Sequence, residues 1–182
     1  MPALRDGTPY EIRQVRVSDY EGGRNERIHE WLGDVDQFLF IKFDPGDLER
    51  NRKFWIDEVR NQRDTSHIII AAFLNGEIIG QADLRLNKEG HHRARNTGGW
   101  GVSVKKAYHN QGVGYQLLLE IERIARRLGL HKLEASVVEH NEPAKALYLR
   151  KLGYQVEGRL RDHLILDNDE YVDELDIGKI LN

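Results

Sequence analysis

The chain contains no cysteine. Disulfides, thiolate metal sites and cysteine nucleophiles are excluded with it. It also lacks any apolar run of roughly 18 residues, the length a membrane-spanning helix needs, so no membrane partner is expected. Met1 to Tyr10 is polar and carries no apolar signal-peptide core, which points to a cytoplasmic location. Charge of one sign is not in excess: 27 Lys and Arg against 30 Asp and Glu leave a formal net charge of −3. A polyanion-binding surface is therefore not expected, and nucleic acid is no partner, whereas a cationic substrate meets a mildly favourable field. No repeat, low-complexity tract or linker interrupts the 182 residues, which suit one domain over 1–182.

What is present reads as alternating strands and helices. Tyr10 to Val17 reads as a strand whose apolar parity shifts between Ile12 and Val15, as a bulge would produce. A weakly apolar helix, Glu21 to Leu32, precedes the stretch Gly33 to Gly46, where Asp34, Asp36 and Asp44 surround Phe38-Leu39-Phe40-Ile41. Leu48 to Arg63 carries Leu48, Trp55, Ile56 and Val59 at helical spacing. His67 to Leu74 is β-branched and apolar, and Asn75-Gly76 marks a tight hairpin into Glu77 to Leu86. The polar segment Asn87 to Asn96 leads to a strand at Thr97 to Val104.

Val113 to Leu128 is the clearest helix, with Leu117, Leu118, Ile121 and Ala125 on one apolar stripe and Gly129 as its C-terminal cap. Lys132 to Val138 alternates as a strand. Asn141 then caps a helix that opens with Glu142-Pro143, turns Ala144, Leu147, Tyr148 and Leu152 inward, and ends at Gly153. Tyr154 to Leu166 and Glu170 to Leu181 close the chain as two strands. The order β-α-α-β-β-β-α-β-α-β-β predicts an α/β fold, a mixed sheet with helices on both faces. The C-terminal hairpin offers edge strands for pairing across a two-fold axis, so a homodimer is one expectation.

The densest chemical signal runs from Gly98 to Gly114: an apolar strand, a short polar turn, then a glycine pair opening a long amphipathic helix. That order aims unpaired backbone N–H groups at one point, and such a point attracts a phosphate. The same glycines also suit a second reading, close packing of the helix on its neighbouring strand. A dinucleotide fingerprint needs G-x-G-x-x-G and an acidic residue about 20 residues on, but Leu117 takes the third glycine position. A P-loop needs a Gly-Lys-Ser/Thr ending, which is absent.

Three segments together resemble the GNAT superfamily of acetyl-CoA-dependent N-acyltransferases. Trp100-Gly101-Val102-Ser103-Val104, running through Tyr108 into His109-Asn110-Gln111-Gly112-Val113-Gly114, is similar to the family's R/Q-x-x-G-x-G/A pyrophosphate motif. Asn141-Glu142-Pro143-Ala144-Lys145-Ala146-Leu147-Tyr148 resembles its N-x-x-A-x-x-L-Y helix, and Lys151-Leu152-Gly153-Tyr154 its K-x-G-F/Y helix ending. His109 stands where the family carries Arg or Gln, which leaves backbone N–H groups as the main phosphate contacts.

The resemblance implies an acetyltransferase with acetyl-CoA as acyl donor and a small-molecule amine or a protein amino group as acceptor. It implies that the strand ending at Val104 splays from the strand starting near Lys132. The pantetheine arm would enter that gap against the backbone of Val102, Ser103 and Val104. The pyrophosphate would rest on the turn formed by His109, Asn110, Gln111, Gly112, Val113, Gly114 and Tyr115. Each charge-assisted bond there is worth roughly 1.5–3 kcal/mol. Asn141 and Ala144 would lie beside the cofactor arm, although Asn141 is equally a helix cap worth about 1 kcal/mol.

A neutral amine would attack the thioester carbonyl directly. The N–H of Val104 is the candidate donor to the tetrahedral oxyanion. Tyr148 matches the family's general-acid tyrosine; the alternative is a packed core tyrosine. Candidates for the base are His91, His92, Glu139, His140, His163 and Asp83, with bulk water as a further acceptor. His91 and His92 diverge as neighbours and have no third ligand, so no metal is expected. Asp34, Asp36 and Asp44 read either as solvated loop acids or as the selector of a cationic acceptor. A non-catalytic acyl-CoA sensor of the same fold is the alternative to an enzyme.

Overall fold

The computed structural model describes residues 1–20, 48–61, 66–86, 94–166 and 168–181. The expected helix Glu21 to Leu32, the acidic stretch Gly33 to Gly46 and the pair His91 and His92 lie outside the described residues. The strands are β1 (Glu11–Gln14), β2 (His67–Leu74), β3 (Glu77–Leu86), β4 (Thr97–Val104), β5 (Lys132–Val138), β6 (Gln155–Ile165) and β7 (Tyr171–Ile180). They form one seven-stranded mixed sheet in the order β1-β2-β3-β4-β5-β7-β6. Only β4 and β5 run parallel; every other neighbouring pair is antiparallel. The described helices are α1 (Leu48–Asn61), α2 (Val113–Arg127) and α3 (Glu142–Lys145), which continues as a π-helical turn over Ala146–Lys151. No described helix is long and apolar enough to cross a membrane.

Alternation along the strands feeds two apolar clusters. Ile70 and Ala72 of β2 join α2 residues Leu117, Leu118, Ile121 and Ala125, together with Trp100, Leu133 and Ile177. Ile69, Ala71 and Phe73 turn the other way, onto Ile56 and Val59 of α1. Each such Leu, Ile or Val contributes about 1.5–3 kcal/mol when fully buried. The expected bulge in the first strand is not there: pairing runs unbroken from Glu11↔Phe73 to Gln14↔Ile70. Tyr10 and Ile12 pack in the first cluster and Val15 in the second, so the parity change reflects a sheet covered on both faces. The irregularity lies instead in the β2–β3 pair, where Ala72↔Gly80 is followed by Phe73↔Ile78 and Ile79 of β3 is the extra residue, beside the Asn75-Gly76 hairpin. Both hairpin residues take positive φ, 51° and 80°, as a tight two-residue turn requires.

The helix after Asn141 also departs from expectation. It is α-helical only through Lys145 and then widens, with the Leu152 N–H donating to the Leu147 carbonyl at 3.1 Å. Leu147, Tyr148 and Leu149 all pack against the core. An α-helix, at about 3.6 residues per turn, would spread three consecutive residues around half its circumference. The wider turn accommodates them on one side. Gly153 at φ 76° ends it, and the Tyr154 N–H closes back on the Tyr148 carbonyl at 3.0 Å.

Tyr10, Tyr20 and Tyr154 are buried and Tyr148 is half-buried. Burial pushes every one of these hydroxyls above the ordinary 10.0. The folded state holds these protons more tightly, so their stability contribution is intact below pH 10.0 and is lost as pH rises through the raised values. Urea unfolding across the alkaline range should show stability declining from that point; a flat profile would contradict the assignment.

Candidate active site

β4 and β5 pair through only three positions, Thr97↔Lys132, Gly98↔Leu133 and Gly99↔Glu134. Beyond Gly99 the two strands part. The register with β3 decides which backbone groups line the gap. The Lys105 N–H donates to the Ile79 carbonyl at 2.9 Å, and alternation then turns the polar groups of Ser103 and Gly101 toward β3. Val102 and Val104 direct theirs into the gap. The carbonyl of Val104 is met there by the His109 ring, Nε2 lying 2.8 Å away. His109 therefore ties the turn to the strand end. Ser103 turns its own backbone away from the gap.

The turn after β4 changes hand twice. Asn110 takes φ 59° and Gly112, the N-cap of α2, φ 88°. No side chain caps the helix start, and its first backbone bond runs from the Gln116 N–H to the Gly112 carbonyl at 3.1 Å. Among the described residues, the N–H groups of Asn110 to Tyr115 donate to no backbone carbonyl. Several such groups converging at the positive end of a helix form an anion-binding nest. The Gln111 side chain accepts the Arg5 N–H at 3.3 Å, which docks the amino-terminal hairpin on the same turn.

The two glycines differ in their surroundings. Gly112 meets nothing within 4 Å, so its value lies in its left-handed backbone. A methyl at Gly114 would sit 3.5 Å from both Leu147 Cδ2 and Val104 Cγ2. Gly114 is thus the point where the turn after β4, the end of β4 and the π turn that continues α3 meet. Gly112→Ala is expected to weaken CoA binding about tenfold, since a left-handed alanine costs roughly 1–2 kcal/mol. Turnover at saturating donor should hold. Calorimetric titration with CoA checks this, and unchanged affinity would refute it.

Asn141 Oδ1 accepts the Ala144 N–H at 3.2 Å, so its side chain serves as the helix cap. Tyr148 follows in the π turn. Its ring meets Trp100 edge to face at 4.9 Å, and Trp100 meets Tyr154 in the same way at 5.2 Å. Burial pushes the Tyr148 hydroxyl up to about 12, so it keeps its proton through the neutral range. Trp100 escaped the sequence reading. Its signal is faint: one large aromatic in a strand otherwise rich in glycine.

Three of the base candidates are engaged with charged neighbours. Glu139 receives Arg159 at 2.9 Å, and Arg159 also holds Asp173. His163 lies 3.3 Å from Glu174. Asp83 Oδ2 faces Arg85 at 2.9 Å and His67 at 3.2 Å, and the other His67 nitrogen lies 2.9 Å from Glu58. Among the described residues there is no cluster of three or more His, Cys, Asp or Glu side chains able to hold a metal.

The family model of the acetyltransferase (GNAT) family matches residues 25–154. The chain belongs to this family. The chain is 30% identical over 116 residues to the L-methionine sulfoximine/L-methionine sulfone acetyltransferases of Pseudomonas paraeruginosa and Pseudomonas aeruginosa. That alignment spans 64% of this chain and 64% of the length of those relatives. The fold is similar to an N-acetyltransferase from Staphylococcus aureus Mu50, with TM-score 0.77 and 19% identity over 96% of this chain and 99% of that one. It is similar also to yncA of Salmonella typhimurium, solved with acetyl-CoA, with TM-score 0.77 and 20% identity over 96% of this chain and 95% of that one. A GNAT fold explains the single parallel pair that opens after Gly99.

Proposed function

We propose that this GNAT member is an N-acetyltransferase that moves an acetyl group from acetyl-CoA to a primary amine by direct attack, through a tetrahedral intermediate. One observation carries the reading: a turn of unpartnered N–H groups lies against the end of a strand that has parted from its neighbour. The N–H groups of Asn110 to Tyr115 suit a diphosphate, and the gap-facing groups of Val102 and Val104 suit the amides of an extended pantetheine arm. The bound donor supplies an acyl group activated as a thioester.

The chain's own groups then have separate tasks. The Val104 N–H donates to the developing oxyanion. Tyr148 gives a proton, or a strong hydrogen bond, to the leaving sulfur. The attacking amine releases its proton to water or to an ionisable group on the acceptor side. Support for an amino-acid-like acceptor comes from the methionine sulfoximine relatives. A homodimer through the exposed β6 edge is part of the proposal, and sedimentation velocity tests it.

The test is an amine panel that includes methionine sulfoximine, polyamines and peptide amino termini. Each is incubated with acetyl-CoA while free thiol release is followed. Turnover with at least one amine is expected. Absence of CoA binding by calorimetry, or binding without turnover on any amine, would overturn the reading.

A further inference from the structure

We propose that Trp100 is a positioning residue for catalysis, holding the Tyr148 ring so that its hydroxyl stays at the mouth of the gap between β4 and β5. The inference rests on the reading of Tyr148 as the proton donor. Trp100 is the first residue of β4 beyond the last β4–β5 pair, Gly99↔Glu134. Its backbone is therefore fixed on one side by β3, where it faces Leu84. Its side chain is 7% exposed and lies in the cluster formed with α2. The indole stands between two tyrosines, at 4.9 Å and 81° to Tyr148 and at 5.2 Å and 68° to Tyr154.

Those two tyrosines are joined at the backbone as well, through the Tyr154 N–H and the Tyr148 carbonyl at 3.0 Å. The far ring is the anchored one: Tyr154 is 3% exposed, whereas Tyr148 is only half-buried. Order thus passes from the core outward, Tyr154 to Trp100 to Tyr148. Edge-to-face geometry restricts the tilt of the Tyr148 ring, and tilt decides where a phenol oxygen lies. The Trp100 Nε1 and the Tyr154 hydroxyl are both buried. Ring contact on both sides and burial in the core keep this indole in place.

Proton donation tolerates little displacement; a shift of about 1 Å can cost roughly 100-fold in rate. A double-mutant cycle on the full chain separates positioning from general packing. Trp100→Leu is expected to lower kcat about 10–100-fold, with the KM for acetyl-CoA within about twofold. In a Tyr148→Phe background, where no hydroxyl remains to be positioned, Trp100→Leu should change kcat by less than about twofold. The conservative Trp100→Phe keeps an aromatic edge and should recover most of the rate. Trp100→Met replaces Trp100→Leu in the cycle if circular dichroism shows that the leucine variant does not fold.

Equal losses in both backgrounds, from either variant, would mean that Trp100 only packs the core and would overturn the proposal. A Tyr148→Phe enzyme with full kcat would fail differently, since it removes the reading of Tyr148 itself.

Discussion

Tyr148→Phe is expected to lower kcat by roughly 10²–10⁴-fold, the usual span of one general acid. Acetyl-CoA affinity should stay within about twofold, because the proposed binding groups are backbone N–H groups on other elements. Tyr148 lies on the inner side of α3, and burial raises its hydroxyl to about 12. At neutral pH the group is fully protonated and can give its proton to a sulfur leaving as thiolate. Phenylalanine keeps the ring, its contact with Trp100 and the packing with Leu147 and Leu149, and it removes one oxygen. Stability should change little. The pH–rate profile of the parent enzyme should show no decline assignable to Tyr148 until pH exceeds 10.0. Steady-state kinetics with thiol detection, paired with a CoA titration, reads both quantities. A parallel fall in affinity and kcat would make Tyr148 a binding group instead.

The second large effect concerns the fold. Glu122 of α2 is 3% exposed and accepts Lys179 Nζ of β7 at 2.7 Å and Arg126 at 3.3 Å. The same ammonium lies 5.6 Å over the Tyr154 ring. Lys179→Met removes the closer cation and leaves a buried carboxylate with the more distant and more exposed Arg126. Breaking a buried pair from one side costs about 3–5 kcal/mol, and the remaining Arg126 sets the expectation near 3. For a chain of this size that corresponds to a fall in Tm of about 6–12 °C. Glu122→Leu combined with Lys179→Met should recover most of the loss, since no charge is then stranded. Thermal unfolding of the two variants decides it. A single-variant shift below about 2 °C would show that the pair is solvated.

Local chemistry was readable in the sequence; contacts between distant segments were not. Asn75-Gly76 announced its hairpin because two left-handed residues suit few other side chains. The Gly98–Gly114 turn and the Asn141 cap were legible because each is made by neighbours in the chain. The family resemblance drew on those same segments and was right about the fold. Val15 misled because parity alone does not reveal that both faces of the sheet are covered. The π turn was hidden because ordinary helix formers suit i→i+4 and i→i+5 bonding alike. Trp100 beside Tyr148, and Lys179 beneath Glu122, depend on tertiary packing. Glu122 did carry a clue, since it lies four residues after Leu118 on the apolar stripe and so falls on the buried side.

The three-rung junction of β4 and β5 has a consequence for motion. Antiparallel strands β1 to β4 form one panel and β5 to β7 another, and this short seam is their only strand-to-strand stitch. An extended ligand amide entering the opening would act as the missing rungs, so capture of the donor and closure of the sheet become one event. Amide hydrogen exchange at Val102 and Val104 should therefore be rapid in the free protein and slow by orders of magnitude once CoA is added.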